Sequence, residues 1–233
     1  YIGNNFITHN DSGDDPKLYE FNEKGELLKF TRFYSITNID WEDITFDGEK
    51  YYIADVGNNY ATRKNLTIYI LDKKLNLRDS IKIKYKNQKS FDYLKLNSFD
   101  AEALISIGDS LAIFSKNRKN LSSEFYILPK IPGEYKLEPI KSFNVNSLIT
   151  GGDYNEKLKL LALSAYDFDS DEQFIHVLKN FDLNKINYLN FTKYTLPIRD
   201  VQIEAIKIID NKTFWLTSES ERFGYPKLIK IIL

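Results

Sequence analysis

The chain has 233 residues, 42% of them apolar and 15% aromatic, with 32 basic side chains against 33 acidic ones. That balance suits one folded domain over residues 1–233 and excludes a disordered chain. Lys and Arg are scattered, which excludes a nucleic-acid footprint or polybasic membrane surface, and no apolar run nears the roughly 18–20 residues of a membrane span.

Neither cysteine nor methionine occurs. The first absence removes disulfides and thiolate metal sites and fits an extracytoplasmic location. The second, extending to position 1, reads as a processed or trimmed chain from which any signal peptide is already gone.

In chain order, the apolar run "NNFI" passes at once into "THNDSG", residues 8–13, which spends a histidine, an amide, a carboxylate and a glycine on one loop, with two further carboxylates in the "DD" that follows. The segment "DWEDITFDGEKYYIADVGNN" follows: an acidic residue, a strand, a turn at Asp47-Gly48, a second strand and a polar burst. "FDAEALISIGDSLAIFSKNRKN" repeats the plan with its turn at Gly108-Asp109. "ITGGDYNEKLKLLALSAYDFD" repeats it at Asn155-Glu156, and "QIEAIKIIDNKTFWLTSESERFG" at Asp210-Asn211. Between them lie further short runs, "LTIYIL", "SEFYIL" and "QFIHVL", rich in β-branched and aromatic residues and bounded by turn formers. Taking Glu42, Glu102, Asp153 and Glu204 as equivalent anchors gives spacings of 60, 51 and 51 residues.

The pattern predicts an all-β, five-bladed β-propeller with four-stranded blades, the first blade incomplete at the N-terminus. A strand from before residue 1 is expected to complete the last blade and close the ring. The alternative is a β-sandwich with accidental internal similarity.

In a propeller, the anchors and the loops leaving each second strand open on one end of the central channel. Glu42, Glu102, Asp153 and Glu204 are then candidate metal ligands, crowding a mouth where carboxylates repel and burial raises their pKa values. Calcium would compensate, since it takes six to eight oxygen ligands. His9, Asn10, Asp11, Asp40, Asp43, Asp55, Asn58, Asn59, Arg63, Lys116, Arg118 and Glu219 are candidate ligand-binding residues on the same rim. Arg63, Lys116 and Arg118, with Arg222, would supply ion pairs instead of a metal. The competing reading has each anchor carboxylate accept backbone N–H groups of the next blade and simply fasten the ring.

His9 is read as exposed on the functional face, His176 as an ordinary strand histidine, Trp41 as blade packing and Trp215 as core. Gly13 and Gly57 are read as positive-φ loop residues. "GNN" is no phosphate loop, because it lacks the Lys-Ser/Thr ending, and "ITGGD" matches no dinucleotide fingerprint. There is no H-E-x-x-H and no G-x-S-x-G.

The linked order "THNDSG", "NIDWEDI", "IADVGNN" followed by Arg63, "ITGGDYN" and "QIEAI" resembles a bacterial family of five-bladed propellers, akin to the SdiA-regulated and phytase-esterase-like propellers. The family pattern opens with a Ser-Gly-Leu tag, and this sequence starts after that point. The resemblance implies an exported or envelope-associated bacterial protein, secreted or a lipoprotein, with bound calcium. It implies no particular reaction.

Three functions follow. The first is an extracytoplasmic module, expected as a monomer, that binds calcium and a small anionic or hydroxylated ligand, a glycan included. The second is a hydrolase cleaving glycosides or phosphate esters through Glu42, Glu102 and Glu204. The third is a protein-interaction scaffold with Tyr60, Tyr166 and Phe168 on its rim.

Overall fold

The computed structural model describes residues 3–199, 201–219 and 225–233. Its short apolar runs form five sheets, antiparallel but for one parallel pair. Blade 1 comprises β1 (Asn5–His9), β2 (Lys17–Asn22) and β3 (Leu27–Arg32). Blade 2 comprises β4 (Trp41–Phe46), β5 (Lys50–Asp55), β6 (Thr67–Asp72) and β7 (Leu77–Tyr85). Blade 3 is built of β8 (Ala101–Ile107), β9 (Ser110–Ser115) and β10 (Ser122–Pro129), whose chain then leaves as β11 (Gly133–Leu137) to pair in parallel with β7 before returning as β12 (Lys141–Asn144). Blade 4 holds β13 (Leu148–Asn155), β14 (Leu160–Tyr166), β15 (Gln173–Lys179) and β16 (Thr192–Thr195), and blade 5 holds β17 (Ile203–Ile208), β18 (Thr213–Ser218) and β19 (Leu228–Ile232). The five blades make a β-propeller whose first blade has three strands.

All four expected hairpin turns fall between the first two strands of blades 2 to 5, and their side chains explain why. Asp47 Oδ1 accepts the N–H groups of Glu49 and Lys50 at 2.9 and 2.7 Å, and Asp210 Oδ1 accepts those of Lys212 and Thr213 at 2.8 Å each. Both replace backbone bonds that a tight turn cannot make. Gly48 supplies the φ of +96° that the first turn demands.

Apolar residues are buried between blades in four clusters. One joins Leu18 and Phe33 of the first blade region to Trp41 and Ile53. The next three join blades 2 and 3, 3 and 4, and 4 and 5, around Ile68 and Leu104, Phe114 and Leu163, and Ile175 and Phe214. Among the described residues no such cluster joins blade 5 to blade 1, where Phe6 meets Trp215 edge-on at 5.5 Å. Trp41 is 1% exposed and packs as expected, whereas Trp215, read from sequence as core, is half-buried at this open seam.

The inner strands β4, β8, β13 and β17 share one irregularity. Each has a register shift near its start, leaving Glu42, Glu102, Thr150 and Glu204 as the extra residues. This corrects the expected anchor set. The counterpart of the three glutamates in blade 4 is Thr150, and Asp153 stands three residues further along the strand.

Fastening falls to other carboxylates. Asp43 Oδ2 accepts Leu104 N at 2.8 Å and Gly152 N at 3.3 Å, joining three blades. Asp153 Oδ2 accepts Ile208 N at 2.8 Å, and its Oδ1 accepts Lys207 Nζ at 2.7 Å. Among the described residues neither Glu42 nor Glu102 accepts a backbone N–H. Replacing Asp43 with Ala would strand two N–H groups between blades, at about 1–3 kcal/mol each. Urea unfolding should register that loss as a lower midpoint.

Candidate functional site

Inner strands carry the bulge residues to one end of the channel, and the loops that follow β1, β5 and β9 close over them. The first two of those loops are fixed by a recurring asparagine. Asn38 Nδ2 donates to the carbonyls of Asn10 and Asp11 at 3.0 and 2.8 Å, and Asn97 Nδ2 donates to that of Asn59 at 2.9 Å. Each asparagine precedes an inner strand and holds the preceding blade's polar loop against it.

Two aspartates enter the mouth two residues before the first two bulges. Asp40 is 9% exposed and Asp100 is fully buried. Asp100 was not among the residues singled out from sequence, although "FDAE" matches "IDWE" in placing an aspartate two before the glutamate. One oxygen from each of Glu42, Asp100 and Glu102 lies within 4.8 Å of the others, and the same holds for Asp11, Asp40 and Glu42.

Cations compensate only part of this charge. Arg63 Nη2 pairs with Asp55 at 2.7 Å, and Asp55 Oδ1 also accepts Asp40 N at 3.1 Å. Arg118 pairs with Asp100 and donates to Asn59 Oδ1 at 2.6 Å. Lys116 Nζ, 4% exposed, lies 3.2 Å from Glu102 Oε1 and 5.2 Å from the centre of the Tyr166 ring. Among the described residues no ion pair involves Asp11, Asp40 or Glu42.

The titration of the site follows from this layout. Burial, with Asp100 and Asp11 nearby, pushes Asp40 up to about 6. Burial and then Glu102, Asp100 and Asp40 push Glu42 well above the carboxylate range, and burial lifts Glu204 likewise. Burial raises Glu102 too, against the pull of Lys116, whose own pKa is raised by Glu102 despite its burial. The layout thus favours the charged form of Lys116 and shifts the glutamates around it toward their protonated forms.

Gly57 carries no positive φ, contrary to the sequence reading, while Gly13 does, at +73°. Its role is room: a Cβ at Gly57 would fall on the carboxylates of Glu42 and Asp40. Asn58, 1% exposed, donates its backbone N–H to Asp100 Oδ1 at 2.6 Å and accepts Arg63 N at 2.9 Å.

His9 is half-buried rather than exposed. Its Nδ1 lies 3.0 Å from Asn10 O, its ring meets Trp41 edge-on at 5.8 Å, and burial lowers its pKa. Asn10 bonds to Asp14, and both Asn10 and Asp11 are exposed. Glu219 is half-buried and, like Glu204, borders a cavity of about 790 Å³ that runs along the channel. Arg222 lies outside the described residues. His176 meets its expected partner, with Nε2 2.7 Å from Ser147 Oγ. Of the rim aromatics, Tyr60 is exposed and stacks on Tyr93 at 4.7 Å, Phe168 is exposed, and Tyr166 is half-buried beneath Lys116.

No family model matches the chain, and no curated protein matches it. Solved structures do share its fold. The intramolecular trans-sialidase from Ruminococcus gnavus aligns over 93% of this chain and 50% of its own, with 9% identity and a TM-score of 0.52. An exo-β-1,3-galactanase from Phanerochaete chrysosporium aligns over 97% and 51%, with 13% identity and a TM-score of 0.51. The chain thus spans about half the length of these structures. No helix among the described residues is long and apolar enough to cross a membrane.

The raised carboxylates set a pH dependence. Asp43, pushed by burial to about 8 from an ordinary 3.8, binds more protons folded than unfolded between those values, as does Asp40 up to about 6. Stability therefore falls as pH rises through that window. Buried His176, lowered to about 3, acts oppositely, but only below its ordinary 6.5. Cation-free protein should lose on the order of 1–2 kcal/mol between about pH 6.5 and 8. Urea midpoints across that range would show it, and Asp43→Asn should flatten the slope.

Proposed function

We propose that the protein is an extracytoplasmic binding module whose channel mouth holds a divalent cation, calcium, and through it an anionic or hydroxylated ligand. The observation that carries this reading is the Asp11–Asp40–Glu42 group. These three carboxylates lie together at the mouth, and no ion pair among the described residues compensates them, whereas Asp55, Asp100 and Glu102 each have a cationic neighbour. The donor set fits a hard cation, because every ligand atom is a carboxylate oxygen and neither thiolate nor imidazole belongs to the group. Asp11 is exposed and Asp40 nearly buried, so a cation would enter from solvent and keep part of its coordination for water or ligand. The bound cation would polarise ligand oxygens, while Gly57 leaves the space that Asp40 and Glu42 need.

Of the sequence-derived metal set, Glu42 alone belongs to this uncompensated group. Glu102 is engaged by Lys116, Asp153 by Lys207 and Ile208, and Gln202 donates to Glu204.

A hydrolase is the second reading, favoured by the close glutamates around Lys116, whose pKa values burial raises. The Glu42 and Glu102 oxygens lie within 4.8 Å. Such proximity is compatible with the roughly 5–5.5 Å carboxyl separation of a retaining glycosidase. Turnover of aryl glycosides that is lost in Glu102→Gln with the fold retained would support this reading over the first.

Thermal melts of metal-stripped protein decide the main reading. Saturating calcium should raise the midpoint by roughly 5–10 °C, and magnesium should do less. Glu42→Gln should abolish the shift, and Gly57→Ala should weaken calcium binding at least tenfold by displacing the two carboxylates. No shift with any cation would overturn the proposal.

A further inference from the structure

Among the described residues, four buried side-chain atoms meet no hydrogen-bonding group of the protein: Asn58 Nδ2, Tyr85 Oη, Tyr126 Oη and Ser123 Oγ. Leaving such an atom unpaired is costly, so nearly every one in a folded protein has a partner. Three of the four gather where blades 2 and 3 meet, behind the channel mouth. Tyr85, at the end of β7, and Tyr126, in β10, belong to the apolar cluster that joins these blades, with ring centres 5.1 Å apart. Ser123 falls on the opposite face of β10, where Phe125 packs towards blade 4.

Asn58 reaches the same junction from the polar loop that follows β5. Its remaining polar atoms are engaged. Oδ1 accepts Arg63 N at 2.9 Å, its carbonyl accepts Ala61 N at 2.8 Å, and its own N–H donates to Asp100 Oδ1 at 2.6 Å. Asp100 also connects this amide with the phenols, because burial and then Tyr126, Asp100 and Glu124 raise the pKa of Tyr85. Asn58, Tyr85 and Tyr126 are each at most 4% exposed, so bulk solvent does not satisfy them. Nor does Glu124, whose oxygens already accept from Ser115, Asn117 and Ser122.

The chemistry of the three groups selects what meets them. An amide nitrogen only donates, whereas a phenol donates or accepts. A cation would face the amide hydrogens of Asn58, and an anion would lie beside the carboxylates of Asp100 and Glu124. Water accepts from the amide and exchanges either kind of bond with each phenol, and three partners are the usual number for a buried water.

We propose that one internal water is a structural ligand of this junction, held by Asn58 Nδ2, Tyr85 Oη and Tyr126 Oη. It ties the loop over residues 57–63, which carries Asn58 and Arg63 to the mouth, to strands of two blades. The loop is then fixed from both sides, since Asn97 holds Asn59 at the rim and the water holds Asn58 beneath it. The site is separate from the proposed cation, because none of its three groups belongs to the carboxylate clusters.

The test uses the full chain with chelator present throughout, so that cation binding does not contribute. Tyr85→Phe and Tyr126→Phe should each lower the melting midpoint by roughly 2–6 °C, because each removes a partner of the water. A phenol that bonds nothing predicts the opposite sign, since deleting it relieves its desolvation. Tyr188→Phe, at an exposed phenol, is the control and should leave the midpoint in place. Amide exchange over residues 58–63 should quicken in both core variants, and a high-resolution crystal structure should show an ordered water bonded to all three atoms. A raised or unchanged midpoint in either core variant would overturn the proposal, as would a crystal structure that pairs the three atoms with protein groups. So would a midpoint higher in sodium chloride than in sodium gluconate of equal ionic strength, with the difference lost in Tyr126→Phe, since a halide would then hold the site.

Discussion

A propeller has no single core, so its blades must be tied where their inner strands converge, and in this protein one carboxylate does so for three of them. Asp43 sits one residue past the bulge of β4 and accepts N–H groups from β8 and β13. Asp153 repeats the device between β13 and β17. Because these two aspartates occupy the backbone donors along the channel, the bulge glutamates are left without them and turn toward the mouth. The close approach that this requires is visible at Gly151, where a Cβ would meet the Glu204 carbonyl oxygen and lie 3.2 Å from Ala205 Cα.

The charge distribution at the mouth follows from that division of labour. Buried cations are costly unless paired, and Lys116 and Arg118 are held by Glu102 and Asp100, with Arg63 held by Asp55. The Lys116 and Arg118 pairs tie the loop after β9 to the start of the inner strand β8, and the Arg63 pair ties its loop to the end of β5. What remains is a local excess of carboxylate at Asp11, Asp40 and Glu42, shared between blades 1 and 2. An excess of one sign in a partly buried place is either discharged by protons or neutralised by a ligand, and the rise of Asp40 to about 6 is the protonated side of that choice.

Much of the fold was legible in the sequence. Turn residues such as Asp47-Gly48 and Gly108-Asp109 act locally, so their spacing marked the hairpins and the blade repeat directly. The acidic mouth was legible in part, because Glu42, Glu102 and Glu204 each stand at the start of an apolar strand. Asp153 was misplaced because "GGD" sits near the same phase as the true anchor, and nothing local in "ITGGD" shows that the strand bulges at Thr150. Asp100 passed unnoticed although the Asp-x-Glu pair recurs. Gly57 was given a backbone role when its real one depends on two side chains from another strand.

By itself, the sequence determined the strands, the turns, the order of the blades and the end of the channel at which polar loops collect, since all of these depend on residues within a hairpin of one another. Only the tertiary structure decided which carboxylates fasten and which gather, because a one-residue bulge re-aims every side chain after it. It likewise decided that β11 leaves its own blade to pair with β7, and that the apolar walls of Ile7, Ile44, Phe46 and Trp215 face one gap. Those outcomes rest on contacts between strands far apart in the chain, and no local spacing encodes them.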